Sequence, residues 1–186
     1  MINEKAQRIA VFIDTQNLYH SARSVFGHKV NFSQIISDVV GQRQLVKAIA
    51  YVIETERGDE KQFLSALTSK GIELKSKELM VFADGSKKAD WDVGLAVDVV
   101  KMAPRLDTVV ILSGDSDFVP LVEYLQEQMM VRVEVASFGR STGLKLKEVV
   151  DAFYDLADKP EKYLIGYRKP RRNTRAKRPV KKIAKK

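Results

Sequence analysis

The sequence predicts a three-layer α/β/α sandwich around a central, mostly parallel sheet of five strands. Two observations carry this reading. Short apolar runs of strand type alternate with segments of helical period, and each right-handed crossover between parallel strands lays a helix on the sheet. Carboxylates also gather just beyond the ends of the apolar runs, where open parallel sheets bind ligands.

In chain order, residues 9–13 form the first strand, followed by a loop or short helix through Tyr19. Asn31-Phe32-Ser33 offers a helix start before residues 34–40, and Gly41 stops that helix. Residues 45–53, rich in β-branched side chains, read as the second strand. Phe63, Leu64 and Leu67 fall at helical spacing ahead of a Lys70-Gly71 C-cap pattern. Residues 72–82 make the third strand and residues 91–102 a helix stopped by Pro104. A short buried strand at 108–112, a helix at 118–128 and a last strand at 131–136 follow. A final helix is expected over 144–156, with Leu146, Val149, Val150, Phe153 and Leu156 along one stripe.

With 186 residues, 45% hydrophobic and 30% charged, the chain suits one domain of ordinary size plus a tail. Eleven of the 32 Lys and Arg, and none of the 24 Asp and Glu, fall in residues 168–186. The tail thus carries +11 and the rest of the chain −3, so the formal net charge of +8 conceals an acidic body. We set the domain at 1–160 and a basic, disordered tail at 161–186; such a tail suits a polyanion, and Arg168, Lys169, Arg171 and Arg172 open it. No apolar run approaches the roughly 18 residues of a membrane span. The opening MINEKAQRIAVFID lacks a secretion signal, so no membrane association and a cytoplasmic location are expected. Homo-oligomerisation is left open.

The chain has no cysteine and two histidines, His20 and His28, both read as lying away from the acidic motifs. Thiolate chemistry is excluded, imidazole-based sites are disfavoured, and carboxylates must carry the chemistry. Asp14 follows the first strand, Asp115 and Asp117 the fourth, and Asp84 the third; Asp90 and Asp92 open the next helix at the same rim. Like charges brought together this way want a hard divalent cation with oxygen ligands, Mg²⁺ or Mn²⁺.

Three stretches carry a family resemblance: FIDTQNLY at 12–19, KKADWDVGLAVDVV at 87–100 and DTVVILSGDSDFVPLVEYL at 107–125. Together they resemble the NYN domain, in its LabA-like branch, a group with the PIN-type nuclease fold. The resemblance covers roughly residues 9–156. It implies a metal-dependent endoribonuclease leaving 5′-phosphate and 3′-hydroxyl ends, with RNA as partner. The alternative is a catalytically weak or inactive nucleic-acid-binding regulator of the same group. Carried over residue by residue, it places the metal ligands on Asp14, Asp92, Asp115 and Asp117, and an orienting amide on Asn17.

Local alternatives stay open. Asp14 and Asp92 could cap helices, Asn17 could make a local turn bond instead of orienting a water or phosphate, and Asp90 competes with Asp92, which keeps the family's spacing to Asp98. Asp98 lies about 240° around the helix from Asp92, so it is a supporting or structural residue. Ser113 and Ser116 hold the aspartates or a phosphate, or simply pack; Gly114 permits a tight turn or a ligand's close approach. Trp91 and Phe118 read as packing residues. Lys87, Lys88, Arg140, Lys145 and Lys147 are candidates for gripping phosphates, or are solvated surface charges. Phosphatase and phosphoacceptor readings fit poorly: Asp14-Thr15-Gln16 lacks a D-x-D, and Ser137-Phe138-Gly139 lacks the required lysine.

Overall fold

A computed structural model describes residues 4–54, 61–78, 80–81, 87–88 and 90–169. The first half of the chain runs β1 (Arg8–Asp14), α1 (Thr15–Phe26), β2 (Lys29–Val30), α2 (Phe32–Val40), β3 (Gln44–Glu54), α3 (Lys61–Thr68), β4 (Glu73–Glu78), β5 (Met80–Val81) and β6 (Lys87–Lys88). The second half runs α4 (Asp92–Met102), β7 (Thr108–Leu112), α5 (Val119–Glu127), β8 (Arg132–Ser137), α6 (Leu144–Val149), β9 (Ala152–Asp155), α7 (Pro160–Tyr163) and β10 (Leu164–Ile165).

The main sheet has six strands in the order β4-β3-β1-β7-β8-β9, with every pairing parallel. Its core divides by strand alternation. Ile9, Val11 and Ile13 of β1 join Val110 and Leu112 of β7 in the layer covered by α1, α2 and α3. Ala10 and Phe12 join Val109 and Ile111 in the opposite layer, beneath α4, α5 and α6. Period-2 side-chain alternation on strands with helices on both faces thus yields the sandwich expected.

Three elements depart from expectation. The strand expected over 72–82 is divided: β4 ends at Glu78, and Met80–Val81 pairs antiparallel with Lys87–Lys88 in a separate sheet. The segment after β1 is a 12-residue helix rather than a loop or short helix. Asp14 caps it, Leu18, Ser21 and Ala22 face the core, and Gly27 ends it at φ 71°, a left-handed turn open to glycine without strain. The predicted helix over 144–156 instead ends at Val149, and Val150 turns extended at ψ 151°. The Asp151 carboxylate accepts a bond from Val133 N at 2.8 Å, while Asp151 N donates to Val133 O at 2.9 Å. Ala152–Asp155 then adds a sixth strand to β8. Pairing an otherwise open sheet edge outweighs a helical stripe of moderate propensity.

The packed chain also continues past residue 160. Leu164 and Ile165 pair with β2, and the Tyr167 ring meets Phe26 at 5.9 Å and His28 at 5.3 Å. The boundary therefore moves to about Tyr167, and the last described residues, Arg168 and Lys169, are exposed. No helix among the described residues is long and apolar enough to cross a membrane.

One buried charge network braces β8. Glu134, with its side chain 3% exposed, takes both prongs of Arg43, itself 7% exposed, at 3.0 and 2.8 Å. Arg132 and Tyr154 add bonds at 2.8 and 3.2 Å. Arg43 also donates to the carbonyls of Val39 and Val40, which closes the C-terminal end of α2.

Candidate active site

The order β4-β3-β1-β7-β8-β9 reverses direction between β1 and β7. From β1 the chain turns into α1 on one layer; from β7 it turns into a short 3₁₀ turn (Ser116–Phe118) and α5 on the other. The two connections part at the carboxyl ends of the central strands and leave a crevice there, where open α/β sheets bind ligands.

Short-range chemistry fixes each acid at this crevice. Asp14 Oδ1 accepts from Asn17 N at 3.0 Å, and Oδ2 accepts from the buried Ser113 hydroxyl at 3.1 Å. Ser113 Oγ in turn accepts from Asp115 N at 3.3 Å, and Asp115 Oδ1 accepts from Asp117 N at 3.0 Å. Across the crevice, Asn17 Oδ1 accepts from Gly114 N at 2.9 Å. Asn17 and Ser113 thus tie the loops after β1 and β7 together. Asp92 is the first residue of α4.

Electrostatics mark the acids as one group. Burial pushes the Asp14 carboxyl up against its hydrogen bonds, and Asp115 adds repulsion. Asp92 is pushed up to about 6, first by burial and then by the charges of Asp14, Asp115, Asp90 and Asp117. Among the described residues none of these five forms an ion pair. Nor, among them, is any group of three or more acidic or histidine side chains arranged to hold a metal ion. The donor chemistry nevertheless fits a hard divalent cation, because the acids supply oxygen donors that repel one another.

Asp92→Asn is expected to raise the melting temperature in chelating buffer at pH 7.5 by about 2–4 °C. The basis is about 1 kcal/mol of relieved repulsion after discounting for solvent screening. The folded state holds the Asp92 proton more tightly than the unfolded chain does. Its stability therefore falls as pH rises from the ordinary value of 3.8 through about 6. The mutant's advantage should fade as the pH of a thermal-melt series drops from 7 to 4.

Asp98 stands apart. It accepts from Lys75 Nζ at 2.6 Å and Tyr51 Oη at 2.9 Å; burial opposes ionisation, but these bonds hold its carboxyl below the usual range. It serves as an anchor for Tyr51, whose ring meets Trp91 edge-on at 5.3 Å. The Trp91 indole N–H donates to Val52 O at 2.9 Å, and Lys77 lies 4.5 Å over its ring. This tryptophan packs, as expected, on Gly94, where a Cβ would lie 2.7 Å from Cε3. Gly94→Ala should displace the chain's single tryptophan, read as an emission shift, and cost about 1–3 kcal/mol.

Other candidates divide clearly. Phe118 is core. Gly114 makes room for the chain's own loop after β8: a Cβ there would stand 3.1 Å from Ser141 O and Thr142 Cα. Ser116 Oγ packs where a Cβ on Gly143 would be. Lys147 donates to Gly139 O and lies over the Phe153 ring, and Lys145 sits 3.9 Å from Glu123. Arg140 is exposed. The side chains of Lys87 and Lys88, and all of Asp84, Arg171 and Arg172, fall outside the described residues.

A cavity of about 320 Å³ opens at the crevice, lined by Asp14, Asp90, Asp92 and Asp115 and, from α1, by Gln16, Asn17 and His20. Against the expectation from sequence, His20 does not lie away from the acids. It lies on their cavity because α1 continues past Tyr19 and brings it onto the turn after Asn17. A helical reading of TQNLYHSA would have found it.

Comparison with known proteins bears on the family and the fold. A family model for the NYN domain matches residues 8–157. The chain is 26% identical over 169 residues to the low amplitude and bright protein LabA of Synechococcus elongatus, covering 83% of this chain and 86% of that one. It is also similar to a crystal structure of a Vibrio parahaemolyticus protein of unknown function. That match has a TM-score of 0.80 and 32% identity, and covers 89% of this chain and 100% of the other.

Proposed function

Because this chain belongs to the NYN domain family, in its LabA-like branch, we propose that it hydrolyses RNA phosphodiester bonds, with Mg²⁺ or Mn²⁺ held by Asp14, Asp92, Asp115 and Asp117. One observation supports this most directly. The Asp92 carboxyl is raised to about 6 by burial and by four neighbouring aspartates, so the rim gains most from a bound cation.

When bound, the cation supplies Lewis-acid stabilisation of charge developing on phosphoryl and leaving oxygens. The chain's own groups set the stage. Asn17 N and the Ser113 hydroxyl each hold one Asp14 oxygen, which leaves the remaining lone pairs aimed by a fixed carboxylate plane. Asp92 carries a proton for part of the time near pH 6 and must release it to bind a cation, so cation affinity rises with pH through that range. The +11 tail supplies salt-dependent affinity for the polyanion.

The test is incubation of the purified chain with labelled single-stranded and structured RNA in Mn²⁺, Mg²⁺ or chelator. Cleavage that needs the metal, leaving 5′-phosphate ends, is expected. Binding without cleavage across all conditions would replace the proposal with a non-cutting RNA-binding regulator.

A further inference from the structure

The cavity at the crevice has two unlike walls. Asp14, Asp90, Asp92 and Asp115 form the acidic one; α1 supplies the other with Gln16 and His20, one helical turn apart, beside Asn17 and Ser21, and Tyr51, Ile53 and Trp91 complete the lining. Among the described residues, no lysine or arginine lines this cavity, and neither the Gln16 side-chain amide nor the His20 imidazole has a hydrogen-bond partner. The His20 ring meets the edge of Tyr19 at 5.5 Å.

The same structure indicates why the second wall avoids lysine. At Asp98, about one and two-thirds turns along α4 from Asp92, Lys75 has closed onto the carboxylate at 2.6 Å. A lysine at position 16 or 20 would do the same to Asp14 or Asp92. A phosphate entering beside four carboxylates still requires donors. Uncharged or weakly basic ones satisfy it without competing for the acids.

We propose that His20, with Gln16 beside it, is the substrate-contacting wall of the site and donates hydrogen bonds to a phosphate of a single-stranded RNA. This rests on the reading of the crevice as the site that engages RNA, but not on its cutting. His28 is the internal control: it bonds Ile165 O at 3.2 Å and packs on Tyr167 at the far end of α1.

The experiment uses the full chain with ¹⁵N-labelled histidine and a ten-nucleotide single-stranded RNA, in Mg²⁺ and in chelator, at salt high enough to weaken the tail's contribution. Addition of RNA should move the His20 ring resonances, assigned by their loss in His20→Gln, and leave those of His28 unmoved. His20→Ala should raise the KM, or the Kd where no cleavage occurs, about tenfold. His20→Gln, which keeps a donor, should stay within about threefold, and both variants should melt with wild type.

An unmoved His20 signal in RNA-bound protein, or equal affinity of His20→Ala and wild type, overturns the inference, as does failure of wild type to bind RNA. The two readings fail separately. Movement of His20 without any cleavage leaves this inference standing and removes hydrolysis; metal-dependent cleavage with an unmoved His20 does the reverse.

Discussion

Asp115→Asn is expected to lower metal-dependent RNA cleavage by on the order of a thousandfold while leaving the fold intact. Asp115 has two separable jobs. Its Oδ1 caps the turn at Asp117 N, which an asparagine oxygen can still do, and its charge contributes to the acidic rim, which asparagine cannot. A cation's stabilisation of phosphoryl charge is worth several kcal/mol, and each 1.36 kcal/mol of barrier is tenfold in rate, which sets the thousandfold scale. Asp14→Asn should behave alike, since an amide oxygen can still receive Asn17 N or Ser113 Oγ. Single-turnover cleavage of labelled RNA measures the effect, and melting in chelator checks the fold. Melting should not fall, because one repulsive charge has gone. Equal rates for mutant and wild type would sink the assignment.

The largest stability effect is expected from Glu134→Gln, at about 3–5 kcal/mol, because it removes one charge of a buried, hydrogen-bonded ion pair. For a chain of this size that lowers the melting temperature by roughly 6–20 °C. Burial works to raise the Glu134 carboxyl, but bonds from Arg43 and Arg132 outweigh it and hold it below the ordinary 4.5. Its contribution is therefore fully present above that value and is lost as pH falls through the lower folded-state value, so the gap between mutant and wild type should close in acid. The double variant Arg43→Met, Glu134→Leu should recover much of the loss, since a well-packed apolar pair avoids the desolvation of both charges. Failure to recover would mean that the bonds from Arg43 to the α2 carbonyls matter more than the ion pair.

Much of this arrangement is legible in the sequence because buried parallel strands leave plain apolar runs. The ends of 9–13 and 108–112 point straight at Asp14 and Asp115. What escapes is set by partners distant in the chain. β9 forms because β8 presents an edge, which no local stripe reports. Asp98 fits the family spacing as well as Asp92 does, yet Lys75 pairs with it and Tyr51 donates to it, both from neighbouring strands. His20 escapes for a different reason: a helix whose outward face is polar looks like a loop until Asp14 and Gly27 are recognised as its two caps.

The position of β1 also has a consequence for synthesis. Ile9 pairs with Leu45 on one side and Thr108 on the other, and Arg8 is bonded to Asp107 by backbone and guanidinium alike. Asp14 and Ser113, whose bond helps join the two loops, are 99 residues apart. At typical translation speeds, about 5–20 s separate their emergence. During that interval the nascent chain can assemble β4-β3-β1 with a bare strand edge, a surface prone to pairing with other chains. The acidic crevice, and any chemistry it performs, comes into being only when the second half of the molecule arrives to close that edge.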